Sequence, residues 1–183
     1  MEGDERLRLF LALRPPDAAL DTLAAWQQEH LAGAVSAGLR LVPREQLHVT
    51  LAFLGHRPAV ELPGILAALR AAAAAVADRP VLTPIRYRET RSVGMLVLDD
   101  EGGRATALAE DLQARLEALG VYRRERRKWL SHLTVARFRE PKGLQPPLPN
   151  RGTYVLIPSD ASAYLSRLQQ GGAQYEILES TEL

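Results

Sequence analysis

The sequence predicts an α+β fold built twice over. His48-Val49-Thr50 opens the run HVTLAF and His132-Leu133-Thr134 opens HLTVARF, so two of the four histidines of this 183-residue chain sit in nearly the same context. The strands and helices inferred around each run follow in the same order and at nearly the same offset. Helical stretches are mixed with strands that read as antiparallel, which sets the chain apart from a doubly wound parallel sheet.

Leu7 to Leu13 (LRLFLAL) is strand-like and ends at Arg14-Pro15-Pro16, after which Asp17 is expected to cap a helix running to about His30. Past the Gly38 region, Leu39 to Val42 and Pro43-Arg44-Glu45-Gln46 lead into the first His-x-Thr strand, which is expected to stop at Gly55. The second half repeats the pattern. Val93 to Leu98 reads as a strand, Gly102-Gly103 as a turn and Arg104 to about Leu119 as a helix, with the second His-x-Thr strand beginning at Ser131. The remaining expectations are an Ala-rich helix around Leu62 to Ala77, a strand at Val81 to Thr90, a Pro-rich loop at Pro141 to Pro149, and strands near Thr153 to Pro158 and Gln174 to Glu179. No linker long enough to separate independent domains interrupts the series, so residues 1–183 are expected to form one domain of two interleaved lobes.

With 46% hydrophobic residues, the chain can bury a proper core. It contains no cysteine, which rules out a disulfide framework, a thiolate metal site and a cysteine nucleophile, and which fits a reducing compartment; the cytoplasm is the expectation. The start, MEGDERLRLF, is charged and has no apolar core of a leader, and no apolar run is long enough to span a bilayer. A net charge of +1 does not announce a nucleic-acid binder. The phosphate-cradling patterns G-x-x-x-x-G-K-[ST] and G-x-G-x-x-G are both absent.

Strand side chains alternate between faces, so each motif offers an imidazole and a hydroxyl on one face. Imidazole titrates near neutrality, and a pair can hold one neutral base and one protonated acid at the same pH. In-line displacement at phosphorus needs base and acid on opposite sides of the phosphate, with hydroxyls to bind its non-bridging oxygens. A 2',3'-cyclic phosphate suits such a site because its strained ring supplies an activated ester.

These motifs resemble those of the 2H phosphoesterases, and within them the bacterial and archaeal RNA 2',3'-cyclic phosphodiesterases once called 2'-5' RNA ligases. The resemblance spans almost the whole chain: RLFLALRPP, as far as Pro16; LHVTLAFLG from Leu47 to Gly55; SHLTVAR from Ser131 to Arg137; and a late serine with Tyr175-Glu176-Ile177-Leu178. Two positions depart from the family pattern. Ser131 stands where a proline usually precedes the second histidine, and a tryptophan is usual near Met95. The resemblance implies two lobes whose motifs face a central groove, and hydrolysis of terminal 2',3'-cyclic phosphates to 2'-phosphates with no metal or other cofactor. It implies His48 as proton donor to the departing 3'-oxygen, His132 as proton acceptor from water, and Thr50 and Thr134 as phosphate ligands. Arg137 would contact phosphate, Phe53 would line the groove, and Arg127 matches an arginine just before the second motif. The partner would be an RNA end bearing a cyclic phosphate, met by a monomer away from membranes. Arg137 stands five residues after His132, so strict alternation puts it on the wrong face; a bulge or twist is required.

Blander accounts compete at several positions. His30 and His56 lack a threonine two residues on and read as packing or surface residues. Arg123-Arg124-Glu125-Arg126-Arg127-Lys128-Trp129 reads either as a solvated loop or as a phosphate-tracking patch with an aromatic platform. Ala71 to Ala75 needs only helix propensity, and Arg137 could instead pair with a surface carboxylate. Two other functions fit the motifs: an RNA-end-binding protein using the same groove without turnover, and a metal site of His48, His132 and Asp99 or Glu45. The second is disfavoured because no carboxylate lies within the motifs and threonine hydroxyls are poor ligands.

Overall fold

The structure, a computed structural model, describes residues 5–170 and 172–183. The charged start, Met1 to Asp4, lies outside them. Among the described residues, two four-stranded sheets and three α-helices make up the fold. The strands are β1 (Arg6–Leu13), β2 (Arg40–Leu41), β3 (Val49–Pro58), β4 (Leu82–Glu89), β5 (Val93–Asp100), β6 (His132–Arg137), β7 (Asp160–Gln169) and β8 (Gly172–Glu182). The helices are α1 (Asp17–His30), α2 (Leu62–Ala74) and α3 (Arg104–Ala118).

Sheet A has the order β3-β1-β7-β8 and sheet B the order β2-β6-β5-β4, with every pairing antiparallel. The motif strands β3 and β6 each pair with the strand that opens their half, β1 and β5, and this repetition is the duplication expected from sequence. Two of the helices, α1 and α3, cross between the lobes. α1 follows a strand of sheet A, yet its buried Gln27 bonds to the backbone of β6 in sheet B. α3 follows a strand of sheet B and packs on β3 of sheet A.

Alternation along the strands decides what is core. Leu9, Leu11 and Leu13 of β1 join Leu96 and Leu98 of β5, Leu133 and Val135 of β6, and the inner faces of all three helices in one apolar cluster. The opposite face of β1 carries Phe10 and Ala12, which pack with Tyr164 of β7 and Tyr175 of β8 in a separate small cluster.

Four local expectations need correction. Asp17 does not cap α1: Pro16 holds the N-cap position, and Asp17, the first helical residue, turns its carboxylate to Arg14 and Arg44. β3 continues past Gly55 to Pro58, because Gly55 adopts a positive φ of 66° at an irregularity in the β1 pairing. α2 stops at Ala74, where the amides of Ala75 and Val76 turn to carbonyls three residues back and tighten the last turn. Thr153 to Pro158 is no strand. Only Leu156 pairs, with Leu82, between a 3-10 turn at Pro149–Gly152 and Pro158. The strand that completes sheet A is β7, which the sequence reading missed: Ala161 to Ser166 is buried throughout and so shows no alternation.

Candidate active site

The two motifs match in backbone as well as in sequence. In β3, Ala12 pairs with Thr50 and Leu11 with Ala52, leaving Leu51 as an extra residue; in β6, Met95 pairs with Thr134 and Gly94 with Ala136, leaving Val135 extra. Each extra residue is a β-bulge one position after the motif threonine. Burial follows it identically. From His48 to Phe53 and from His132 to Arg137, two half-buried positions alternate with buried ones, two buried residues then stand in a row, and an exposed residue closes the run. Leu51 and Ala52, like Val135 and Ala136, both enter the core. Phe53 and Arg137 are thereby returned to the face of the histidines, which supplies the bulge that Arg137 required.

The rings are held alike. His48 Nδ1 donates to the carbonyl of Gln46 at 2.6 Å, and His132 Nδ1 donates to the carbonyl of Leu130 at 2.8 Å. A carbonyl can only accept, so each Nδ1 carries a proton and each neutral ring keeps its lone pair at Nε2. In the first motif the Thr50 hydroxyl donates to His48 Nε2 at 3.1 Å.

The two imidazoles differ in surroundings. His48 is packed against Phe10, with ring centroids 4.8 Å apart, and meets Tyr175 edge-on at 5.6 Å and Tyr164 at 6.1 Å. Loss of hydration in this aromatic box, reinforced by the positive charges of Arg137 and His132, lowers its pKa to about 4 against the opposing effect of the Gln46 carbonyl. His48 is therefore neutral near pH 7 in the free protein. Thr50 of the first motif and His132 of the second line one groove, so the two motifs lie near each other. Burial likewise pushes the Tyr164 hydroxyl up to about 12.

A groove of about 800 Å³ runs between the lobes, lined in part by Thr50, Phe53, Met95, Arg127, Trp129 and His132. Trp129 Nε1 donates to the Thr50 carbonyl at 3.0 Å, which fastens the basic segment to the first motif strand. Arg127 is extended at the groove edge beside Glu125. Among the described residues Arg137 forms no ion pair, and the surface-carboxylate account of it gains no support. His30 lies 3.7 Å from Glu29 and near Trp26, and His56 is exposed on β3, both away from the motif residues. Among the described residues no group of three potential ligands brings Asp99 or Glu45 together with the histidines.

Two basic residues beside the motifs were not anticipated. Arg8 lies on the same face of β1 as Phe10, with its guanidinium 4.9 Å from the centre of the Phe53 ring and bonded to the Ser166 hydroxyl at 2.6 Å. Arg88 lines the groove from β4. The alternation of Arg8 with Phe10 was a usable signal for the first; nothing local marked the second.

Each lobe presents a bulged His-x-Thr strand, and Thr50 of one and His132 of the other line a common groove. Residues 13–81, which contain the first motif, match the family described as LigT like Phosphoesterase. The fold matches the crystal structure of TT0787 of Thermus thermophilus at 28% identity, over 97% of this chain and 98% of that one, with a TM-score of 0.77. It matches E. coli LigT complexed with 3'-AMP at 23% identity, over 98% and 99%, with a TM-score of 0.82. The ns2 PDE domain of MHV shares the fold at 15% identity, over 94% and 99%, with a TM-score of 0.57. No curated protein sequence matches the chain. Over residues 13–81 the chain is similar to the LigT-like phosphoesterases, and over nearly its whole length it shares the fold of these solved structures.

Proposed function

We propose that this protein opens the 2',3'-cyclic phosphate at an RNA end to give a 2'-phosphate, without a metal, and that the same site can carry out 2'-5' ligation when a 5'-hydroxyl takes the place of water and the 3'-oxygen again leaves. The observation that carries the proposal is the matched pair of imidazoles, each with Nδ1 tied to a backbone carbonyl and Nε2 left for proton transfer. In-line attack by water on phosphorus forms a new P–O bond and breaks the bond to the 3'-oxygen. One imidazole takes the water proton while the other delivers a proton to the 3'-oxygen. Thr50 and Thr134 hold the non-bridging oxygens, Arg137 supplies positive charge beside them, and Phe53 and Arg127 border the nucleotide. That E. coli LigT has been obtained with 3'-AMP supports a nucleotide in this groove.

His48 is proposed as donor and His132 as acceptor. In this assignment the donor is armed by the substrate: an anionic phosphate beside His48 offsets the charge of Arg137 and draws a proton onto Nε2. The lowered pKa of free His48 favours the reversed assignment, with His48 as acceptor and His132 as donor. The core proposal does not depend on which holds. His48→Ala and His132→Ala should each slow opening of a cyclic-phosphate RNA by on the order of 10² to 10⁴, since each removes a proton-transfer partner. Either variant turning over at the wild-type rate contradicts a two-histidine mechanism, and retained RNA binding with no wild-type turnover would instead establish a binding protein.

A further inference from the structure

The bulges that return Phe53 and Arg137 to the face of the histidines are each met by a buried glutamine of the helix that crosses from the other half. Gln27 of α1 donates from Nε2 to the carbonyl of Val135, the extra residue of β6, at 2.6 Å, and to the carbonyl of Val42 at 3.0 Å. Gln113 of α3 donates from Nε2 to the carbonyl of Leu51, the extra residue of β3, at 2.8 Å. The two side chains are only 2% and 7% exposed, and the cores around them are apolar. A polar side chain is costly to bury there unless its bonds are made; the Val135 carbonyl also accepts the amide of Val42 at 3.0 Å, so Gln27 is a second donor to the bulge residue. The same residue type therefore performs the same task twice, on symmetry-related carbonyls.

We propose that Gln27 and Gln113 are positioning residues that lock the two bulges, so that Gln27 sets the placement of Arg137 and Gln113 that of Phe53. Gln27 lies outside the groove lining and acts through the strand it grips, whereas Gln113 both grips β3 and stands in the groove wall behind Phe53. The crossing of the helices makes each half of the chain responsible for the geometry of the other half's motif, so the site is assembled only when both halves have docked. This rests on the groove being a nucleotide phosphate site, as proposed above, and deepens that reading.

The test is a double-mutant cycle read by affinity for adenosine 2'-monophosphate, which probes the groove independently of turnover. Gln27→Met keeps the volume and removes the donor. It should weaken binding by roughly tenfold when Arg137 is present, and by much less in an Arg137→Ala background, because small displacements of a positioned group are costly only while that group is there. Gln27→Glu, protonated by burial, retains an O–H donor and should recover part of the affinity. Gln113→Met forms a second, independent cycle with Phe53→Ala. Equal losses in both backgrounds, or no loss from either glutamine variant, would overturn the proposal, since a merely structural role lowers stability without depending on Arg137 or Phe53. Absence of cyclic phosphodiester opening by a wild-type protein that binds the nucleotide would refute the proposed function and leave this cycle intact; additive cycles in an active enzyme would do the reverse.

Discussion

At the scale of single residues, the proposed chemistry turns on one difference between two otherwise matched histidines. The motifs were legible because His and Thr two apart on a strand must share a face, whereas the asymmetry between them was not, because Phe10, Tyr164 and Tyr175 come together around His48 only in the folded sheet. That box has a measurable cost. His48 falls from the ordinary value of 6.5 to about 4, so between these values the unfolded chain binds more protons than the folded one. Stability from this group is fully present above about pH 6.5 and is lost as pH falls through about 4. Urea unfolding of the wild type should therefore gain stability from pH 4 to 6.5 more steeply than His48→Gln; parallel curves would contradict the depressed pKa. Catalysis separates the two assignments. A substrate whose 3'-oxygen is replaced by sulfur leaves without a proton, so it should rescue whichever alanine variant lacks the donor. Rescue of His48→Ala supports the proposed roles, and rescue of His132→Ala supports the reversed pair; rescue of neither would mean that both rings mainly bind phosphate.

At the scale of elements, the bulges decide which residues reach the groove. Strict alternation from the motif histidines points both Phe53 and Arg137 into the core, and the need for a bulge at the second could be read from sequence alone. Its twin in β3 could not, since an exposed Phe53 carries no charge to signal misplacement. β7 escaped notice for a related reason: a strand buried on both faces loses the period that identifies it. A tight approach fixes the β4–β5 pair beside the second motif. A methyl group on Gly94 would overlap the hydroxyl of Tyr87, which bonds to Glu89, whose carboxylate in turn accepts the amides of Lys142, Gly143 and Leu144. Gly94→Ala should therefore cost about 1–3 kcal/mol in chemical denaturation and loosen the Pro-rich loop to proteolysis. An unchanged midpoint would mean that Tyr87 moves aside freely.

At the scale of the whole molecule, the groove exists because each half lends its helix to the other, an arrangement that the repeated element order announced but could not locate in space. The basic run lies at its edge. Arg124 pairs with Glu117 and Arg127 with Glu125, whereas Arg123 and Arg126 form no ion pair among the described residues. If the run follows an RNA backbone, replacing Arg123, Arg124 and Arg126 by alanine should weaken binding of long RNAs and flatten its salt dependence, while a cyclic mononucleotide is processed nearly as before. Equal losses on both substrates would assign the run to folding or to the chemical site. The central claim is tested most directly by incubating the wild-type protein with a short RNA ending in a 2',3'-cyclic phosphate, in the presence of EDTA, and locating the phosphate on the product. A 2'-phosphate formed at a rate unaffected by the chelator is the expected result; a 3'-phosphate, no opening of the ring, or activity abolished by EDTA would contradict it.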